Sequence, residues 1–98
     1  MKRQSGKTTE LAKLANEIIK MRYPVYFVTL NSNMSSNTEN CHHMPGVKMI
    51  PLTVMQMGLG RGCAPGFVLC DELDPEQVGW VMNEMIGCQL VAAYYSSH

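Results

Sequence analysis

The sequence predicts an α/β fold: a small, mostly parallel sheet with flanking helices. Three observations carry that prediction. First, three apolar runs lack the alternation of a one-sided strand: VYFVTL (25–30), FVLC (67–70) and CQLVAAYY (88–95). Such runs read as strands covered on both faces, which is how parallel sheets are built. Second, two segments carry helical periodicity, one ahead of the first run and one between the second and third. Third, the resulting order is helix, strand, loop, strand, helix, strand, and alternation of this kind favours parallel strands joined by right-handed crossovers.

The elements follow in chain order. Residues 8–22 read as a helix, with Leu11, Leu14, Ala15, Ile18 and Met21 or Arg22 on one face and Glu10, Lys13, Asn16, Glu17 and Lys20 on the other. Pro24 disfavours helix at Tyr23 and ends it. After the first strand, NSNMSSNTENCHHMPG (31–46) is polar and turn-rich, and Ser36 with Glu39 has the spacing of a capping box. VKMI (47–50) reads as a short edge strand. PLTVMQMG (51–58) reads as one or two helical turns opened by Thr53. Residues 58–66 hold four glycines and a proline and form a loop. The strand near 66–70 runs into Asp71-Glu72. A second helix is expected over 75–86, with Asp74 as N-cap, Pro75 in the first turn and Gln77 at N3. Val78, Val81, Met82, Met85 and Ile86 form its apolar face, Trp80 lies beside that face in the core, and Gly87 ends it. The last strand covers 89–95.

Composition bounds the function. Ninety-eight residues make one domain, 1–98, with a modest core. With 46% hydrophobic and 16% charged residues the chain is globular. A formal net charge of zero argues against a broad nonspecific nucleic-acid surface, though a local basic patch stays open. Cys41, Cys63, Cys70 and Cys88 have neither disulfide-framework nor zinc-ribbon spacing, and Cys70 and Cys88 fall in apolar runs as small hydrophobes. The expected setting is a reducing cytosol. No apolar run approaches the roughly 20 residues of a membrane helix, and the amino end lacks a signal-peptide core. Nine methionines suit adaptable packing or a partner surface.

Two motifs carry chemistry. MKRQSGKTTE (1–10) matches the Walker A loop G-x-x-x-x-G-K-[ST], except that Met1 stands at its first glycine. In that motif backbone N–H groups cradle phosphates at a helix N-terminus, the Lys meets the β- and γ-phosphates, and the hydroxyl ligates Mg²⁺. The candidate nucleotide-binding residues are Ser5, Gly6, Lys7, Thr8 and Thr9. FVLCDE (67–72) has the Walker B form, four apolar residues and then two acids. Asp71 is the candidate magnesium ligand with Thr8, and Glu72 the candidate catalytic residue that aligns or deprotonates water. These belong at the carboxyl tip of a strand, where ligands bind open α/β sheets. Ser96 or Ser97 could sense a γ-phosphate after the last strand. CHHM (41–44) offers Cys41, His42 and His43, but adjacent residues rarely converge on one ion and no second ligand group is evident, so it reads as loop. GLGRG lacks the strand-to-helix context of a dinucleotide fingerprint.

On KRQSGKTTEL and GFVLCDELD the chain resembles the additional-strand P-loop ATPases, the group holding helicases and terminases. It is similar to the small P-loop proteins of phages and mobile elements. The resemblance spans nearly the whole chain. It implies ATP and Mg²⁺ as cofactors and a cytoplasmic P-loop domain with weak hydrolase activity. Phosphate would be bound by Gly6, Lys7 and Thr8, magnesium by Thr8 and Asp71, and water would be activated by Glu72; Arg61 is the candidate arginine finger. In that family a strand precedes the phosphate loop and is expected between the Walker B strand and the last one. The residues ahead of Ser5 are too few for it, so the P-loop core is expected to be incomplete. Direct pairing of the flanking strands, a strand from a second copy or a host protein, or a shortened amino end would each answer that lack. The alternative function is non-catalytic: a phage-encoded interaction protein on a degenerate P-loop scaffold, such as an anti-CRISPR-like inhibitor of a host nucleic-acid enzyme or defence nuclease.

Overall fold

A computed structural model describes residues 3–31, 33, 36, 44–59 and 64–95. Within these, side chains are described from residue 9 onward except at 58, 59, 94 and 95. The order is α1 (Arg3–Lys20), β1 (Val25–Thr29), β2 (Lys48–Pro51), a short helix α2 (Leu52–Val54) continuing into a π-type turn (Met55–Leu59), β3 (Phe67–Leu73), α3 (Pro75–Glu84) and β4 (Gln89–Tyr95). The four strands form one parallel sheet in the order β2-β1-β3-β4. The α/β class, the parallel sheet and the flanking helices are those the sequence predicts.

The unbroken apolar runs explain the inner positions. Every residue of β1 is buried, and β3 is buried at all but Phe67 and Glu72. Each faces helix on both sides. On one side Leu11, Ala15 and Ile18 of α1 pack against Val25, Phe27 and Leu69. On the other, Leu52, Met55 and the α3 residues Val78, Val81 and Met85 pack against Tyr26, Val28, Val68, Cys70 and Leu73. Each large apolar side chain taken fully out of water in these two layers contributes about 1.5–3 kcal/mol.

The boundaries differ from expectation in physically readable ways. α1 begins at Arg3, not residue 8, because Arg3, Gln4 and Lys7 are good helix formers and only Gly6 opposes them. It ends at Lys20; Arg22 takes a left-handed φ of 67° ahead of Pro24. Leu14 and Met21, expected on its apolar face, are exposed. α3 stops at Glu84, so Ile86 falls outside the helix and is 83% exposed, not buried. Gly87 turns the chain with φ 93°. The Asp74 N–H donates to Gln77 Oε1 at 2.8 Å, one half of the capping arrangement that starts α3. α2 opens at Leu52, with Pro51 rather than Thr53 at its boundary.

The lack of a P-loop strand between β3 and β4 is met in the first of the expected ways. The two pair directly, from Phe67↔Gln89 to Leu73↔Tyr95, so there is no slot between them. At their start the Gln89 N–H donates to the Gly66 carbonyl at 2.9 Å and the Phe67 N–H to the Pro24 carbonyl at 2.9 Å, which locks three strands together at the amino edge. No described helix is long and apolar enough to cross a membrane.

Candidate functional site

α1 runs against the direction of the strands. Its last turns reach the amino edge: a Cβ on Gly46, ahead of β2, would lie 3.3 Å from Ile19 Cγ1, and the turn after Lys20 feeds β1. A helix of 18 residues spans about 27 Å, against about 17 Å for the five-residue β1. The amino end of α1, with Ser5, Gly6, Lys7, Thr8 and Thr9, therefore lies toward the carboxyl edge of the sheet, where Asp71 and Glu72 stand near the end of β3.

The structure puts those five residues inside the first turns of α1 and not in a loop ahead of it. In a helix the N–H groups of Lys7 and Thr8 are directed at the carbonyls of Arg3 and Gln4, and with Arg3 first in the helix the described N–H groups left open at this end are those of residues 3–5. The side chains of Ser5, Lys7 and Thr8 lie outside the described set; Thr9 is exposed.

At the carboxyl edge, Thr29 and Asp71 are the buried polar or charged residues among those described. Val28 pairs with Cys70, so the next residues, Thr29 and Asp71, stand side by side at the strand tips. Both are on the α1 face, in step with Phe27 and Leu69. The Thr29 hydroxyl donates to the Asn31 carbonyl at 3.1 Å. Thr29 was not among the residues singled out by motif; the signal was a lone hydroxyl at the end of an otherwise apolar strand.

Glu72 is the irregular residue of β3. The register passes from Asp71↔Tyr94 to Leu73↔Tyr95, which leaves Glu72 as an extra residue with φ 64°. Left-handed backbone is uncommon away from glycine and marks a bulge inside a strand. Its effect on facing can be read from the core. Strict alternation would send Glu72 into the α3-side core and Leu73 toward α1. Instead Leu73 is buried in the α3-side core with Cys70, and Glu72 is only partly buried. The bulge thus keeps Glu72 out of the α3-side core and gives that place to Leu73, while Asp71 stays buried on the α1 face. β3 accordingly runs to Leu73, so the acidic pair lies within the strand and not beyond it.

Cys70, the neighbour of this pair, is a core residue. Burial first, and the Asp71 charge second, push its thiol from 9.0 up to about 12. It is not a nucleophile at neutral pH.

No described group of three or more His, Cys, Asp or Glu could hold a metal by itself. Magnesium asks for less, since it usually keeps several waters and takes one or two carboxylates plus substrate phosphates. A buried Asp71 carboxylate beside a threonine hydroxyl fits that requirement. Arg61, Ser96, Ser97, Glu39 and the Cys41-His42-His43 group lie outside the described residues.

Comparison with protein-family models, curated proteins and solved structures finds no match to this chain.

Proposed function

We propose that the chain binds ATP with Mg²⁺ at the carboxyl edge of its sheet and hydrolyses it weakly. The observation that carries the reading is the bulge at Glu72, which costs backbone strain of about 1–3 kcal/mol and sets a partly open carboxylate next to the buried Asp71. Strain of this kind gathers at functional sites, because elsewhere a glycine would remove it. Open α/β sheets bind ligands at this edge and helix amino ends favour anions, and the direction of α1 supports bringing the two together.

In this reading Lys7 meets the β- and γ-phosphates, and Ser5, Gly6, Thr8 and Thr9 supply the surrounding donors. Asp71 and Thr8 hold the magnesium, and Thr29 fixes the neighbouring strand tip. Magnesium supplies charge neutralisation and polarisation of the phosphoryl oxygens when bound. Glu72 orients the attacking water and accepts its proton.

A second reading has its own observation. Residues 5–8 are helical, so Lys7 and Thr8 direct their N–H groups into α1 and not at a phosphate. That favours a non-catalytic interaction protein, such as a phage-encoded inhibitor of a host nucleic-acid enzyme or defence nuclease. Equilibrium ATP binding with and without Mg²⁺ separates the two. The nucleotide reading expects Mg²⁺-dependent binding, weakened roughly 10- to 100-fold in Lys7→Ala by loss of charge-assisted bonds. Absence of binding by the folded chain would overturn it.

A further inference from the structure

The two edges of the sheet are built differently. β2 is four residues long and carries Lys48 and Pro51, devices that blunt an edge against further pairing. β4 is seven residues long, QLVAAYY, with no charge and no proline. It pairs with β3 on one side, and among the described residues no strand lies beyond it. Its composition is that of an inner strand like β1, yet Leu90 and Val91 are each 39% exposed. Ile86, at the entry to β4, is 83% exposed. A long apolar edge of this type is a template for pairing with another strand.

We propose that β4 is a self-association edge, pairing antiparallel with β4 of a second copy across a two-fold axis. Three features favour a second copy as the occupant. An uncharged strand set against itself brings no like charges into opposition, whereas charged edges repel. The chain's formal net charge of zero leaves little long-range repulsion between copies. An edge pairing with itself across a two-fold closes the assembly and leaves no further template. Val91 is the extra residue where the register passes from Val68↔Leu90 to Leu69↔Ala92. This bulge raises the local twist, so the contact stays short. An interface of one strand edge falls below the roughly 1,200 Å² of stable complexes, and the dimer is weak.

Sedimentation of the whole chain from about 5 to about 500 µM tests this, a range suited to a weak interface. The mass should rise from 10.9 kDa toward twice that value. Val91→Lys should stay monomeric with an unchanged far-ultraviolet spectrum, while Met57→Lys, at a residue 72% exposed away from β4, should associate as the parent does. Hydrogen exchange on the parent should show amides 90–94 gaining protection with concentration, a readout independent of any variant's folding. A parent monomeric throughout, association undiminished in a folded Val91→Lys, or β4 protection that ignores concentration would each overturn the proposal.

Discussion

Thr29 and Asp71 stand side by side at the carboxyl tips of adjacent strands, and both are buried, at 0% and 3% exposure. Polar groups are brought into such a position only when they are bonded there. Thr29→Val should remove the bond to the Asn31 carbonyl and cost about 1 kcal/mol. Asp71→Asn should keep the fold and lower Mg²⁺-ATP affinity at least roughly tenfold, the effect of losing one charge-assisted contact. Urea unfolding of both variants, with a nucleotide titration of Asp71→Asn, checks the pair.

Glu72 should show stability and activity in opposition. Glu72→Gly relieves the left-handed backbone and should stabilise the fold by about 1 kcal/mol, while Glu72→Val should destabilise it by a similar amount or more. Glu72→Gln keeps the side-chain size, so it should retain ATP binding and lose turnover. Denaturation midpoints set beside phosphate-release rates test this opposition; a Glu72→Gly variant less stable than the parent would contradict the bulge account.

Gly66 should admit no side chain. A Cβ there would overlap the Pro24 carbonyl oxygen and lie 2.8 Å from Pro24 Cβ, at the point where β1, β3 and β4 are tied together. Neither neighbour is a flexible side-chain end that can swing away. Gly66→Ala should cost about 2 kcal/mol or more, against little for Gly79→Ala, where nothing lies within 4 Å and the helix gains propensity. Chemical denaturation of the two variants side by side measures the contrast.

Cys70 gives the pH prediction. Its thiol ionises near 9.0 when unfolded and about 12 when folded, so the stability it confers is whole below pH 9 and is lost as pH rises toward 12. Stability measured against pH should fall across that window more steeply in the parent than in Cys70→Ala. Thiol labelling near neutral pH should leave Cys70 unmodified until denaturant is added.

The sheet was legible because parallel strands announce themselves as unbroken apolar runs. VYFVT and FVLC sit where such runs must, in the middle of the sheet. CQLVAAYY carries the same signal but lies at an edge, since composition says that a strand is to be covered and not by what. The acidic pair was legible as a motif, but the bulge was not: nothing in LCDEL marks Glu72 as left-handed, because the cause is its register against Tyr94 and Tyr95. Thr29 was hidden for the same reason, its burial beside Asp71 being set by cross-strand pairing. At the start of α1 a phosphate-loop motif and a helix-forming sequence coincide over residues 3–8, and in the structure local propensity prevails.

In the proposed function the carboxyl edge is a Mg²⁺–nucleotide site shared by the amino end of α1 and the tip of β3. The measurement that tests it most directly is a titration of ¹⁵N-labelled chain with ATP, with and without Mg²⁺, followed amide by amide. Mg²⁺-dependent shifts should gather on residues 5–9, Asn31, Asp71 and Glu72, with the amino-edge amides of Gly46, Gly66 and Gly87 unmoved. No shifts in the folded chain, or shifts centred on that amino edge, would contradict it.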